Sequence, residues 1–165
     1  MVNALLAERT HALWVGASIN LTGVGMTSLW INAKNARRFT IYLIKGAWAS
    51  ATPAFTLLQA TSNAGAGSKA LNFDRYWKYT GAQTAGVDIP TEVAVASTNT
   101  FNLANQANEL VWLEFMATHM DFNNGFNHFG FTVADPSAND ILAALVLASD
   151  LDHEAYPTRQ LTMLD

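Results

Sequence analysis

The side chains best placed by type and spacing to do chemistry are His119, Asp121 and His128, close enough along the chain for a metal or an acid–base site. On a strand, His119 and Asp121 share a face, but the turn-forming Asn123-Asn124-Gly125 leaves the direction of His128 open. A metal site needs more converging ligands than this, so histidines in a loop at a strand end are the better reading. Glu109 and Glu114 fall on opposite faces of a strand and therefore do not make a glycosidase pair. The Gly65-x-Gly67 loop would need a following helix to cradle a phosphate, and the residues after it are strand-like, so it reads as a hairpin tip. There is no Gly-x-Ser-x-Gly elbow, phosphate loop, His-Glu-x-x-His or dinucleotide fingerprint. The absence of cysteine removes thiol nucleophiles, disulfides and cysteine metal sites together. These observations point to a chain that is not an enzyme and carries no metal or other cofactor.

The aromatic run Tyr76-Trp77-Lys78-Tyr79, with Trp48 in an apolar loop, is more informative. Aromatic platforms stack sugars, and the same side chains are typical of subunit interfaces. With only 13% charged residues on the chain, an interface is the preferred reading. Trp77, Tyr79, Trp112 and Trp48 are its candidate residues. On a strand Tyr76 and Lys78 face away from Trp77 and Tyr79, so at most part of the run forms one platform. In the sugar-binding alternative Tyr76, Trp77 and Tyr79 stack on rings while Asn72 and Asp74 bond to hydroxyls.

These residues depend on strands for their placement. Arg38–Lys45 alternates Phe39, Ile41 and Leu43 on one face against Thr40 and Tyr42. Phe55, Leu57 and Gln59 alternate likewise, as do Val111, Leu113 and Phe115, with Trp112 and Glu114 on a half-covered opposite face. Phe129, Phe131 and Val133 follow the same period, and Ile141–Ala148 is apolar on both faces, as a central sandwich strand would be, with a short buried helix the alternative that periodicity leaves open. Turn chemistry separates these runs at Asn32–Asn35, Asn63–Ser68, Asn123–Gly125 and Asp135–Ser137. Short strands at regular intervals predict one all-β domain, an antiparallel, jelly-roll-like β-sandwich. Its core covers residues 10–149, with an N-terminal arm over 1–9 and a C-terminal tail over 150–165.

Half of the chain is apolar, enough for one sizeable core. A net charge of −4 argues against nucleic-acid binding by phosphate neutralisation. The charge-free stretches Thr10–Ala33 and Gly46–Ser68 are long enough to span a bilayer but are interrupted by Asn, Gly, Ser and Thr, so no membrane partner is expected. No signal peptide is visible at the start, and the chain is expected to be soluble and unprocessed. Residues 1–83 carry a net +6 and residues 84–165 a net −10. Separated in space, that split would favour head-to-tail contacts; interleaved strands would average it away, which is the preferred reading. Both termini carry more apolar side chains than a solvated tail should: Val2, Leu5 and Leu6 at one end, Leu151, Tyr156, Leu161 and Leu164 at the other. One terminus is expected to become ordered only across a subunit contact; the alternative, given equal weight, is that both fold back onto their own sandwich.

The series of a strand pair at Thr27–Asn32 and Arg38–Lys45, the strand and Gly-rich tip Phe55–Leu71, the acid-bearing Leu110–Met116, Asp121-Phe122-Asn123-Asn124-Gly125-Phe126-Asn127-His128 and the closing strand Ile141–Ser149 resembles small β-sandwich virion proteins of tailed bacteriophages. The acidic tail Asp150–Asp165 departs from the short close usual in them. The resemblance implies a structural role, most directly as a capsid decoration or cement protein working as a homotrimer. Its partners would be the major capsid protein and its own copies, and its place the capsid surface of a virion assembled in the host cytoplasm. A tail or neck protein, and a carbohydrate-binding β-sandwich module, are the alternatives.

Overall fold

The computed structural model describes residues 10–49, 51–79 and 89–151. They form β1 (Thr10–Asn20), β2 (Met26–Thr27), β3 (Ile31–Asn32), β4 (Ala36–Lys45), β5 (Ala54–Ala60), β6 (Lys69–Ala70), β7 (Phe73–Tyr79), β8 (Thr91–Thr98), β9 (Thr100–Asn102), β10 (Leu110–Met116), β11 (His128–Val133) and β12 (Ile141–Leu151). Two 3-10 turns, Ala117–His119 and Phe122–Asn124, lie between β10 and β11. The first sheet runs β1-β12-β4-β10-β7-β8. In the second, β11 pairs with β2 and β3 on one side and with β5 on the other, and β5 pairs in turn with β6 and β9. All pairings are antiparallel. The chain is an antiparallel β-sandwich; the strand order does not go on to establish a jelly roll.

Alternation decides which side chains enter the core. Phe39, Ile41 and Leu43 of β4, Val111, Leu113 and Phe115 of β10, and Leu142, Ala144 and Val146 of β12 are buried beneath the first sheet. Phe55, Leu57, Phe129, Phe131 and Val133 meet them from the second. Contact between the sheets is made by rings. Phe129 lies 4.6 Å from Phe39 and 4.9 Å, edge to face, from Phe115. A second group joins Phe55, Phe131, Phe101 and Tyr76, the last stacked on Phe101 at 4.2 Å. Such pairs contribute about 0.5–1.5 kcal/mol each beyond their area burial.

Three expectations change. The predicted strand over Thr27–Ile31 is split into β2 and β3, because Ser28–Trp30 leaves the ladder: Ser28 Oγ accepts the Phe131 N–H at 2.8 Å. Trp30 then lies over Gly130, which is why β11 is buried at Gly130 as well as at its alternating phenylalanines. β12 is a strand but is not covered on both faces; its outward residues are only half-buried or exposed. It also continues through Asp150 and Leu151, so the core extends two residues past the expected boundary. Leu151 pairs with Ala36 and packs on its own core, so this residue of the expected tail belongs to the sandwich. Residues 1–9 and 152–165 lie outside the described residues.

The Gly-rich hairpin tip is confirmed between β5 and β6. Gly65 has φ +77°, and a Cβ there would come within 2.5 Å of the Trp30 indole nitrogen. Gly65→Ala is therefore expected to lower stability by about 1–3 kcal/mol, from backbone strain and the displaced indole together. Gly67→Ala, with φ +62° but no atom nearer than Thr61 Oγ1 at 3.6 Å, carries the backbone term alone. Denaturant midpoints of the two variants check this, and equal losses would show that Trp30 yields freely. After β6 the chain turns at Leu71-Asn72 and crosses to the first sheet, where β7 carries the aromatic run.

Candidate functional site

Sheet register lines up one residue from each strand of the first sheet. Trp14 of β1 stands opposite Leu145 of β12, Leu145 opposite Tyr42 of β4, Tyr42 opposite Trp112 of β10, and Trp112 opposite Trp77 of β7. Glu92 of β8 ends the row beside Trp77. Because Leu13, Ile41, Val111, Leu113, Ala144 and Val146 point inward, every member of this row points outward. A flanking row holds Ala143, Ile44, Leu110 and Tyr79. The rings touch one another: Trp112 lies 6.4 Å from Trp77, 5.3 Å from Tyr79 and 6.3 Å from Tyr42.

Between Trp14 and Trp77 this row has no charge, and no other described element covers it. Trp14 is 58% exposed and Ile44 44%, and Met116 and Ile141 on the same face are also exposed. Exposed apolar side chains grouped on one face mark contact with another molecule more often than those scattered singly. Ions stand at its margin. Arg75 bonds Asp74 at 3.1 Å and Glu92 at 3.3 Å, and Arg38 meets Asp150 at 3.5 Å. The Arg75 guanidinium holds the Asp74 carboxyl below the usual carboxylate range. Partial burial raises the Tyr42 phenol, with the Glu114 charge adding to the effect.

β10 and β7 pair only from Leu110 to Trp112. Beyond that point they separate, and a cleft of about 200 Å³ opens between Asn72, Phe73, Asp74, Ser97, Glu114 and His119. It offers an amide, a hydroxyl, two carboxylates and an imidazole. Hydrogen bonding to a polyhydroxylated ligand suits this set.

A second polar group is buried at the opposite end of β10. The Lys45 ammonium donates to Glu109 Oε2 at 2.7 Å and to the Ala104 carbonyl at 2.6 Å, and lies 4.2 Å from the centre of the Trp48 ring. Both side chains of the ion pair are essentially inaccessible, 0% and 1%. Burial lowers the Lys45 pKa, against the pull of Glu109 and Asp140. Asp140, also fully buried, accepts the Ala49 N–H at 2.6 Å.

The structure brings together Trp77, Tyr79 and Trp112 of the expected interface. Trp48 does not belong with them. It is buried, because its indole N–H donates to Ala51 O at 2.8 Å and its face packs on Lys45. Tyr76 turns inward onto Phe101, which removes it from a sugar platform. Val2, Leu5, Leu6, Tyr156, Leu161 and Leu164 lie outside the described residues. His119 and Asp121 do not share a strand face, because a 3-10 turn intervenes; His119 lines the cleft and Asp121 pairs with Lys69. His128 is buried on β11. Among the described residues no three His, Cys, Asp or Glu side chains are grouped to hold a metal ion, and no helix is long and apolar enough to cross a membrane.

Trp14, Tyr42, Leu145 and Ile44 were absent from the sequence candidates. The first had a readable signal, since Leu13 and Val15 flank it with strand alternation. Among the described residues, charges of the two halves meet in ion pairs. Lys45 and Lys78 face Glu109, Lys69 faces Asp121, Arg38 faces Asp150 and Arg75 faces Glu92, each pairing a cation from the first half with an acid from the second. The chain matches no protein-family model, no curated protein and no solved structure.

Proposed function

We propose that the protein is a structural subunit of a tailed-bacteriophage virion, a decoration or cement protein that docks on the head shell through the outer face of its six-stranded sheet. The observation that carries this reading is the uncharged row Trp14–Leu145–Tyr42–Trp112–Trp77, which crosses five adjacent strands with no covering element among the described residues. The phage assignment adds the sequence resemblance to it. A hydrogen-bonded sheet face is pre-organised, so little backbone ordering opposes its burial. The mechanism is mass action: a subunit that binds the assembled shell and not its dissociated parts stabilises the shell. Homotrimers would present three such faces to neighbouring capsomers. Mass spectrometry and imaging of purified virions test the proposal. The protein is expected in particles at a copy number able to tile the head, and its absence, or presence in a few copies only, would overturn the decoration role.

A second reading rests on the cleft. Asn72, Asp74, Ser97, Glu114 and His119 suit the hydroxyls of a glycan, and Trp77 and Trp112, on the same two strands β7 and β10, would stack on a sugar ring. Quenching or blue-shift of tryptophan fluorescence on titration with glycans, lost in Trp77→Ala, would favour this reading. An unchanged spectrum together with an empty glycan array would remove it.

A further inference from the structure

We propose that the aromatic ladder Tyr42–Trp112–Trp77, with Tyr79 beside it, binds a proline-rich segment in the polyproline II conformation, with a basic residue of that segment opposite Glu114. The inference rests on the reading of this face as a docking surface and names the chemistry of what docks there. Neighbouring strands β4, β10 and β7 hold the three rings side by side, with centroids 6.3 and 6.4 Å apart and planes tilted by only 29° and 17°. All three side chains are half-buried, so each keeps part of its ring open to a ligand.

The kind of ligand follows from what the ladder offers. At Trp112, β10 is paired on both edges, to β4 and to β7, so no extended peptide can add a strand there through backbone hydrogen bonds. Recognition falls to the side chains. An ordinary peptide pressed onto aromatic rings leaves N–H groups without partners, whereas proline has none to leave. Strands β4 and β7 lie two strand spacings apart, about 9–10 Å. A polyproline II segment laid across them returns to the same side every three residues, about 9 Å. Prolines three apart therefore reach Tyr42 and Trp77, with the residues between them over Trp112. Among the described residues the indole N–H groups of Trp77 and Trp112 and the Tyr42 hydroxyl have no hydrogen-bond partner, unlike Trp48, whose N–H is taken by Ala51 O. They can donate to the carbonyls of such a segment, which makes no internal hydrogen bonds of its own. Charge adds a direction. Glu114 follows Trp112 by one alternation on the same face, is exposed, and meets no cation among the described residues. Glu92, beside Trp77, is already bonded by Arg75. An arginine or lysine flanking the prolines thus finds its partner in Glu114.

The test is titration of the full-length protein with a synthetic peptide of Pro-Pro-x repeats carrying two arginines, followed by tryptophan fluorescence and calorimetry. A saturable blue shift is expected. Replacing the peptide's prolines by alanine is expected to weaken binding about tenfold or more. Replacing its arginines by glutamate is expected to weaken it several-fold, a difference that shrinks at high salt. Trp112→Ala is expected to cost about tenfold or more, and Glu114→Gln to remove the preference for arginine over glutamate. No saturable response, or equal binding of the alanine peptide, would overturn the proposal, and neither result requires a variant to fold. A response to neutral glycans without one to the peptide would overturn it in favour of the cleft. Virion composition is a separate readout. A protein that tiles particles yet ignores the peptide overturns this inference alone, whereas peptide binding by a protein absent from particles removes the phage role and upholds the ligand.

Discussion

Replacing Phe129 by alanine is expected to lower the free energy of unfolding by about 3–5 kcal/mol. Its ring is wholly buried and bridges the two sheets, lying on Phe39 from β4 and edge-on to Phe115 from β10. Removing it deletes the transfer contribution of the ring and leaves a cavity that neither sheet can close. Both partners stand on strands held by neighbours on each side, β4 by β10 and β12, β10 by β4 and β7. Phe122→Ala is the control. That ring belongs to the short turn before β11 and is 38% exposed, so its loss is expected within about 0.5 kcal/mol of neutral. Urea or guanidinium unfolding of the two variants decides the matter. A Phe129 loss as small as that of Phe122 would mean that the sheets are not joined through this cluster.

Leu145→Lys is expected to weaken assembly about a hundredfold or more while leaving the free subunit folded. Leu145 sits in the uncharged row, between Trp14 and Tyr42, and is half-buried. In the free subunit a lysine stem can lie along the apolar surface with its ammonium in water. Docked face to face, the ammonium would be stripped of water with no carboxylate opposite, a cost of several kcal/mol. At 25 °C each ~1.4 kcal/mol is tenfold in affinity. Shell binding and self-association, followed by sedimentation beside a thermal melt, separate the two effects. Unchanged assembly with unchanged melting would mean that the first sheet's outer face is not the docking surface, and the cleft beside Glu114 would become the stronger candidate.

Several parts of this molecule are written in short stretches of sequence. The alternation of Phe39, Ile41 and Leu43, of Val111, Leu113 and Phe115, and of Phe129, Phe131 and Val133 specifies strands with one buried face. A strand's side chains alternate by geometry, whatever it later pairs with. Asn123-Asn124-Gly125 likewise announces its turn, and Gly125 closes it at φ +82°. The outward position of Trp112 beside Glu114 and of Trp77 beside Tyr79 follows from the same parity. What parity leaves undetermined is which strands become neighbours. Trp14, Tyr42, Trp77 and Trp112 are scattered over almost a hundred residues, and they form one surface only because β12 and β10 flank β4 in the folded sheet. Trp48 and Trp77 look alike in sequence, each an indole near a lysine. One is buried over Lys45 and the other is half-buried on the outer face of the sheet, because the first finds a hydrogen-bond acceptor in Ala51 O. The pairing of Lys45 with Glu109 depends on the tertiary fold in the same way. No local pattern links residues so far apart, and only the packing of β4 between β10 and β12 encloses them together away from water.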